Sequence, residues 1–117
     1  MAAAPTEHAE QVSLCGWLDA KHPDLDYWAT PNGGNRNIVT AAKMKAEGQK
    51  AGIPDLFFPE LRLFVEMKRT KGGSVSKEQK HWIERLTKHG YKVVVCKGAA
   101  EAVKAIEEAL NAHSIKA

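Results

Sequence analysis

An apolar run that contains two charged residues constrains the fold of this 117-residue chain more than any other segment. Residues 61–68 have the sequence Leu-Arg-Leu-Phe-Val-Glu-Met-Lys, which is typical of a largely buried β-strand. Glu66 and Lys68 stand two positions apart, so on a strand both side chains point to the same face. Because buried charges are costly unless they are paired or bind a metal ion, this strand predicts a polar site on one face of a sheet.

A third charged residue, Asp55, opens the preceding apolar run Leu56-Phe57-Phe58. Two acids and a lysine at adjacent strand ends suit the binding of a divalent cation over a phosphate and the positioning of a water molecule. Each residue alone also has a simpler interpretation. An Asp after Pro is common in turns. Glu66 and Lys68 can form a same-face ion pair on an edge strand.

The composition predicts one compact domain over residues 1–117, with residues 1–5 as a loose tail. Hydrophobic residues make up 44% of the chain and charged residues 26%, which is ordinary for a soluble globular protein. No membrane-spanning stretch or signal peptide is predicted, so we expect a cytoplasmic protein. Neither the two cysteines nor the five histidines have the spacing of a zinc site or a redox pair.

The net charge of +3 is small, but the charges are unevenly distributed. Residues 1–30 carry one Lys against five acids, whereas residues 31–72, which contain the three charged positions, carry eight Lys or Arg against four acids. A basic surround beside an acidic site suits a polyanionic substrate. A solvated lysine-rich surface would give the same distribution.

Hydrophobic periodicity and turn signals predict the remaining elements, and Ser76 and Gln79 have the pattern of a capping box at the start of one helix. Helices are predicted over residues 7–21, 38–47, 76–89 and 99–110, and strands over 26–30, 55–59, 61–68 and 91–96. The two middle strands resemble a hairpin, and the last strand follows a crossover helix, which favours a parallel partner. The fold class is therefore α/β, with a mixed four-stranded sheet flanked by helices.

The charged positions and their context resemble a known family. Pro54-Asp55 followed by Glu66-x-Lys68 resembles the active-site signature of the PD-(D/E)xK nucleases. The fuller set resembles the virus-type replication-repair nuclease (VRR-NUC) domain, in its stand-alone phage or bacterial form, from about residue 7 to 110. Its further features are Glu10-Gln11, Pro31-Asn32-Gly33, Glu47-Gly48, Gly52-Ile53, Arg69, Ser76-x-x-Gln79 and Leu86-x-x-x-Gly90-Tyr91. This resemblance implies a restriction-endonuclease-like core.

The resemblance also implies a metal site and catalytic residues. Asp55 and Glu66 would hold Mg²⁺ or Mn²⁺, with the Met67 backbone carbonyl as a further ligand, because such ions prefer oxygen. Lys68 would orient the attacking water or neutralise charge that develops on the phosphate, and the sequence does not choose between these roles.

Two further positions each have an alternative. Glu10 would add a carboxylate, directly or through water, although Glu7 is a rival one turn earlier on the same helix. Gln79 would hydrogen-bond near the site, but it also fits the capping box alone.

The predicted function is that of a metal-dependent, structure-specific endonuclease that hydrolyses phosphodiester bonds in branched DNA such as a Holliday junction or flap, as in DNA repair. The resemblance implies a homodimer in the cytoplasm of a bacterial or phage-infected cell. A non-catalytic DNA-binding module derived from a nuclease is the alternative, but acids clustered beside phosphates would repel them unless a cation intervened. A restriction-type duplex cutter would usually need an additional base-reading element, for which a chain of this length leaves little space.

Candidate DNA contacts fall into three groups. A polar loop ahead of the site can approach phosphates through backbone amides; it contains Asn32, Gly33, Gly34, Asn35 and Arg36. Basic residues can contact phosphates or simply aid solubility: Lys43, Lys45, Lys50, Arg69 and Lys71. Trp17, Trp28 and Trp82 can stack on unpaired bases, although the helical spacing of Trp82 favours the core.

Overall fold

A computed structural model describes residues 3–31 and 37–116 of the chain, with side chains described as far as residue 114. Within these ranges the chain forms α1 (Glu7–Lys21), β1 (Trp28–Ala29), α2 (Ile38–Ala46), β2 (Leu56–Phe58), β3 (Leu63–Lys68), α3 (Lys77–Lys88), β4 (Lys92–Lys97) and α4 (Ala99–Lys116). The order of elements is the one that the sequence predicts. The strands are shorter than predicted at β1, β2 and β3, and α4 extends beyond residue 110.

Polar side chains cap the starts of α1, α2 and α3. The hydroxyl of Thr6 accepts a hydrogen bond from the Ala9 amide at the start of α1, and the Asn37 side chain does the same for Thr40 at the start of α2. The predicted capping box of α3 is complete, with Ser76 and Gln79 bonded to each other's backbone amides. These bonds satisfy helix donors that would otherwise have no partner.

The four strands form one mixed sheet in the order β1-β2-β3-β4. β2 pairs antiparallel with both β1 and β3, and β4 pairs parallel with β3 after the α3 crossover. The predicted hairpin and the predicted parallel pair are both confirmed. β3 lies between β2 and β4, so it is an interior strand of the sheet. At its charged end, Met67 and Lys68 pair with Cys96 and Lys97 of β4.

The two faces of the sheet have different roles. Leu63, Val65 and Met67 of β3 point to the face that α1 and α4 cover. This face forms the core, whose buried apolar residues are Leu14, Leu18, Leu25, Leu56, Phe58, Leu63, Val65, Met67, Cys96, Ala102 and Ile106. Glu66 and Lys68 point to the other face by the period-two rule, and we call this second face the charged face.

The helices differ in how deeply they pack. The apolar stripe of α3 (Trp82, Ile83 and Leu86) is half-buried, so Trp82 does not lie in the fully buried core. Among the described residues, α2 packs against no other helix or strand, and its Ile38 and Val39 side chains are exposed. No described helix is long and apolar enough to cross a membrane.

Candidate active site

Three carboxylates converge at the end of the charged face where β3 finishes. Oxygen atoms of Glu7, Asp55 and Glu66 all lie within 4.8 Å of one another. Asp55 directly precedes β2, Glu66 lies in β3, and Glu7 is the first residue of α1, so three separate elements bring the group together. Oxygen atoms at this spacing can share one small divalent cation with little movement, since such ions bind oxygen at roughly 2.1–2.4 Å.

Glu66 is the buried member of the group, with 1% of its surface exposed. Its Oε1 atom is buried and accepts no hydrogen bond from the described residues. Burial, the neighbouring Asp55 carboxyl, to which a protonated Glu66 could donate a hydrogen bond, and the negative charge of Asp55 together raise the pKa of Glu66 to about 9, although the charge of Lys68 opposes this. A carboxylate in this position needs either a proton or a cation, and an oxygen-only donor set fits Mg²⁺ or Mn²⁺.

Gln79 connects the charged pair of β3 to the start of α3. Its Oε1 accepts hydrogen bonds from the Lys68 ammonium at 3.0 Å and from the Ser76 amide at 2.8 Å. Its Nε2 donates to Glu66 Oε2 at 3.2 Å, and Lys68 Nζ lies 3.9 Å from the same Glu66 oxygen. The two interpretations of Gln79 in the sequence are therefore compatible, because one amide both caps the helix and orients two charged side chains.

A glycine allows the start of α3 to pack closely against the segment that precedes Asp55. Gly52 has a φ of +91°, and a Cβ on it would lie 2.6 Å from the backbone carbon of Glu78. Any side chain at position 52 would therefore push away the first turn of α3, which carries Gln79. The same turn and Gly52 line an open cleft that leads to Glu7 and Asp55.

The Asp55 carboxylate is held in place by the backbone of β3. Its Oδ2 accepts a hydrogen bond from the Met67 amide at 2.7 Å, and the Asp55 carbonyl accepts one from the Thr30 amide at 2.8 Å. One Asp55 oxygen is thus fixed against the strand. The predicted role of the Met67 carbonyl as a metal ligand stays a prediction.

Glu10 lies outside the group of three acids, although the family resemblance favours it over Glu7 as a contributor from α1. Its Oε1 accepts a hydrogen bond from the Ala99 amide at 3.0 Å, at the start of α4. The adjacent Gly98 amide donates to the Lys68 carbonyl at 2.8 Å. In this structure Glu10 therefore joins α1 to α4 and to the end of β3, while Glu7 lies beside Asp55 and Glu66.

Changing Glu7 and Glu10 separately should distinguish these two roles. We expect Glu7→Gln to weaken Mn²⁺ binding at least 10-fold in calorimetry without DNA, because it removes one charged oxygen ligand. We expect Glu10→Gln to leave Mn²⁺ affinity within about 3-fold and to lower the free energy of unfolding by about 1–2 kcal/mol, because it weakens a charged helix-start hydrogen bond. The reverse result would place Glu10 at the metal.

The candidate DNA contacts are only partly described. Lys43, Lys45, Lys50, Arg69 and Lys71 are all exposed. The predicted loop contacts Asn32, Gly33, Gly34, Asn35 and Arg36 lie outside the described residues. Trp17 and Trp82 are half-buried, whereas Trp28 is exposed.

A mixed sheet that presents two acids and a lysine at adjacent strand ends, with a third acid from the first helix, defines an α/β domain of the nuclease type. The sequence profile of the VRR-NUC domain matches residues 7–100. A solved structure described as a VRR_NUC domain protein is 28% identical in sequence and has a TM-score of 0.79, and the match covers 93% of this chain and 91% of that one. The chain therefore belongs to the VRR-NUC domain family. A search of curated proteins finds no match.

Proposed function

We propose that this protein is a Mg²⁺- or Mn²⁺-dependent endonuclease that hydrolyses phosphodiester bonds in branched DNA. The observation that carries the proposal is the buried Glu66 carboxylate, which has one oxygen without a donor and lies against Asp55 and Glu7. Membership of the VRR-NUC family supports the nuclease part of the proposal. The preference for a Holliday junction or a flap is what the family resemblance implies.

Glu7, Asp55 and Glu66 would hold the ion, and the Met67 carbonyl would supply a further oxygen. The ion would polarise the scissile phosphate and lower the pKa of a bound water. A purely structural role for the acids is less favourable, because three carboxylates with oxygen atoms within 4.8 Å of one another repel each other and any phosphate that approaches. This repulsion also argues against a DNA-binding module without catalysis.

Lys68 would stabilise the negative charge that develops on the phosphate or orient the attacking water. Its ammonium is buried and held by Gln79 Oε1, so its position is fixed before the substrate arrives. A fixed charge needs no reorganisation during the reaction, which makes its stabilisation of the transition state more effective. Gln79 would act as the positioning residue for both Lys68 and Glu66.

Outside the acids, exposed basic residues would contact the DNA backbone. We propose Lys43 and Lys45 on α2, Lys50 after it, and Arg69 and Lys71 after β3 as phosphate contacts. Asn32, Gly33 and Arg36 remain proposed contacts of the preceding loop. A homodimer would place two sites on one branched substrate, and light scattering in solution would determine the oligomeric state.

The first test is cleavage of labelled four-way junction, flap, single-stranded and duplex DNA with Mg²⁺, Mn²⁺ or EDTA. We expect cleavage with either metal, none with EDTA, and a preference for the branched substrates. Asp55→Asn should lower the rate by about 100-fold or more, because it removes a charged ligand oxygen. The matched control is Asp26→Asn, an exposed residue before β1, which should cleave as wild type does. Cleavage that persists in EDTA, or is unaffected by Asp55→Asn, would exclude this function.

A further inference from the structure

A row of aromatic side chains occupies the charged face next to the acids. Phe57 lies two residues after Asp55 in the same extended segment, and its partner Phe64 lies two residues before Glu66 in β3. Side chains two positions apart on a strand share a face, so both rings are on the side of the sheet that carries Asp55 and Glu66. Trp28 in β1 lies directly opposite Phe57 and continues the row to the edge of the sheet.

The rings contact one another in sequence across the strands. The ring centres are 5.3 Å apart for Trp28 and Phe57, 4.3 Å for Phe57 and Phe64, and 5.4 Å for Phe64 and Tyr91. At the far end, the Arg62 guanidinium lies 4.3 Å from the centre of the Tyr91 ring. Phe57, Phe64 and Tyr91 are half-buried, whereas Trp28 has 54% of its surface exposed.

Trp28 is close to the acids because of the strand register. Its partner Phe57 is two residues from Asp55, which corresponds to roughly 7 Å along a strand. Two residues after Trp28, the Thr30 amide donates a hydrogen bond to the Asp55 carbonyl, which also keeps this segment next to the site. A phosphodiester held at Asp55 and Glu66 would therefore have its neighbouring nucleotides within reach of the exposed indole.

We propose that Trp28, supported by Phe57, is a stacking platform for an unpaired base next to the scissile phosphodiester. This proposal rests on the proposed function, because the acids must receive the phosphate. Aromatic side chains bind single-stranded DNA by stacking on its bases, while cations neutralise the backbone. A described cation beside the row suits this partner, because the Arg62 guanidinium lies on the Tyr91 ring.

A second copy of the chain is a poorer occupant of this surface. One indole offers at most about 250 Å² of contact, whereas a stable dimer buries about 800 Å² per partner. Extension of the sheet by a second copy is also unfavourable at this edge. The β1 strand has two residues, and Pro31, shortly after it, has no amide hydrogen to donate.

The test measures binding of a fluorescein-labelled single-stranded oligothymidine and of a blunt duplex, both with Ca²⁺ in place of Mg²⁺ or Mn²⁺, so that a cation neutralises the acids while cleavage is minimised. Loss of one stacked base weakens affinity roughly 5- to 150-fold. We expect this loss for the single strand with Trp28→Ala and Trp28→Leu, and little change for the duplex. Trp28→Leu keeps an apolar side chain but has no ring, so it separates stacking from simple hydrophobic contact. Trp28→Phe should retain most of the affinity.

The matched control is Val12→Ala, which shortens an exposed apolar side chain on α1 and should leave both affinities unchanged. Wild-type affinity of Trp28→Leu for the single strand would overturn the proposal, as would a wild-type protein that does not bind the single strand. If light scattering showed that Trp28→Ala converts a dimer to a monomer, the surface would be an interface between copies.

The two proposals fail separately. Cleavage of branched DNA together with unchanged binding by Trp28→Leu would exclude the platform alone. Loss of single-strand binding in Trp28→Leu, in a protein that cleaves no DNA with any metal, would exclude the endonuclease and leave a Trp28-dependent single-strand binding site.

Discussion

Lys68→Ala should lower the rate constant of DNA cleavage about 1,000-fold at saturating metal and DNA. The ammonium of Lys68 is the cation that the structure fixes beside the acids, 3.0 Å from Gln79 Oε1 and 3.9 Å from Glu66 Oε2. A preorganised charge of this kind typically contributes 10²- to 10³-fold to a rate. The measurement is single-turnover cleavage of a labelled four-way junction with Mn²⁺.

The same substitution should leave binding largely intact, which distinguishes a catalytic role from a binding role. DNA affinity should change little, since one buried cation contributes little to backbone contacts. Mn²⁺ affinity should stay the same or increase, because a positive charge has been removed from beside the ion. Lys68→Met, which keeps an apolar stem in the buried site, should lose as much activity as Lys68→Ala.

Lys71→Ala is the matched control for Lys68, because Lys71 is exposed three residues later. It should cleave at nearly the wild-type rate and bind DNA with a weaker dependence on salt concentration if it contacts a phosphate. Wild-type turnover by Lys68→Ala would contradict the assigned role. An unfolded Lys68→Ala protein would leave the decision to Lys68→Met.

The sequence predicts that Glu66 and Lys68 lie side by side because the relevant geometry is local. Glu66 and Lys68 are two residues apart on a strand, so their shared face follows from strand geometry alone. The parallel pairing of β3 with β4 follows from the crossover helix between them. The capping box of α3 also depends on neighbouring residues, and the structure contains both of its hydrogen bonds.

The choice between Glu7 and Glu10 could not be made in the same way. Both acids lie in the first turns of α1, and both are close to the stripe that buries Leu14 and Leu18. Which carboxylate reaches Asp55 depends on how far α1 is rotated and shifted against the sheet. The contact of Glu10 with Ala99, 89 residues later in the chain, is a tertiary feature that no local pattern contains.

The packing of α2 and the aromatic row were missed for a similar reason. The Ala-rich segment after Asn37 predicts a helix, but its local pattern does not predict what the helix packs against. The row from Trp28 to Tyr91 combines residues of separate strands, and only the register places Trp28 opposite Phe57. The available signal was a tryptophan in the predicted short strand over residues 26–30, which the sequence offers as one of three candidates for base stacking.

Raising the pH should destabilise the metal-free protein, and Glu66→Gln should remove most of this dependence. The pKa of Glu66 is raised to about 9 in the folded state from an ordinary value of 4.5. A group whose pKa is higher in the folded than in the unfolded state binds more protons when folded. Its contribution to stability is therefore complete below about pH 4.5 and is lost as the pH rises towards 9.

The dependence of stability on pH is limited because the folded and unfolded states differ by at most one proton on Glu66. Within that window, each pH unit weakens the fold by at most about 1.4 kcal/mol. The measurement is the free energy of unfolding by urea in EDTA at several pH values between 5 and 9. The informative quantity is the difference in this free energy between wild type and Glu66→Gln, in which the contributions of all other groups largely cancel.

Glu66→Gln should be more stable than wild type at pH 8 in EDTA and should cleave no DNA, because the neutral amide needs no proton and provides a poorer ligand for a hard cation. Adding Mn²⁺ at pH 8 should stabilise wild type far more than Glu66→Gln, since the ion replaces the proton on the buried carboxylate. Calorimetry in buffers of different ionisation enthalpy should then detect proton release on Mn²⁺ binding near neutral pH by wild type alone. Parallel stability curves for the two proteins between pH 5 and 9 would contradict this account of Glu66.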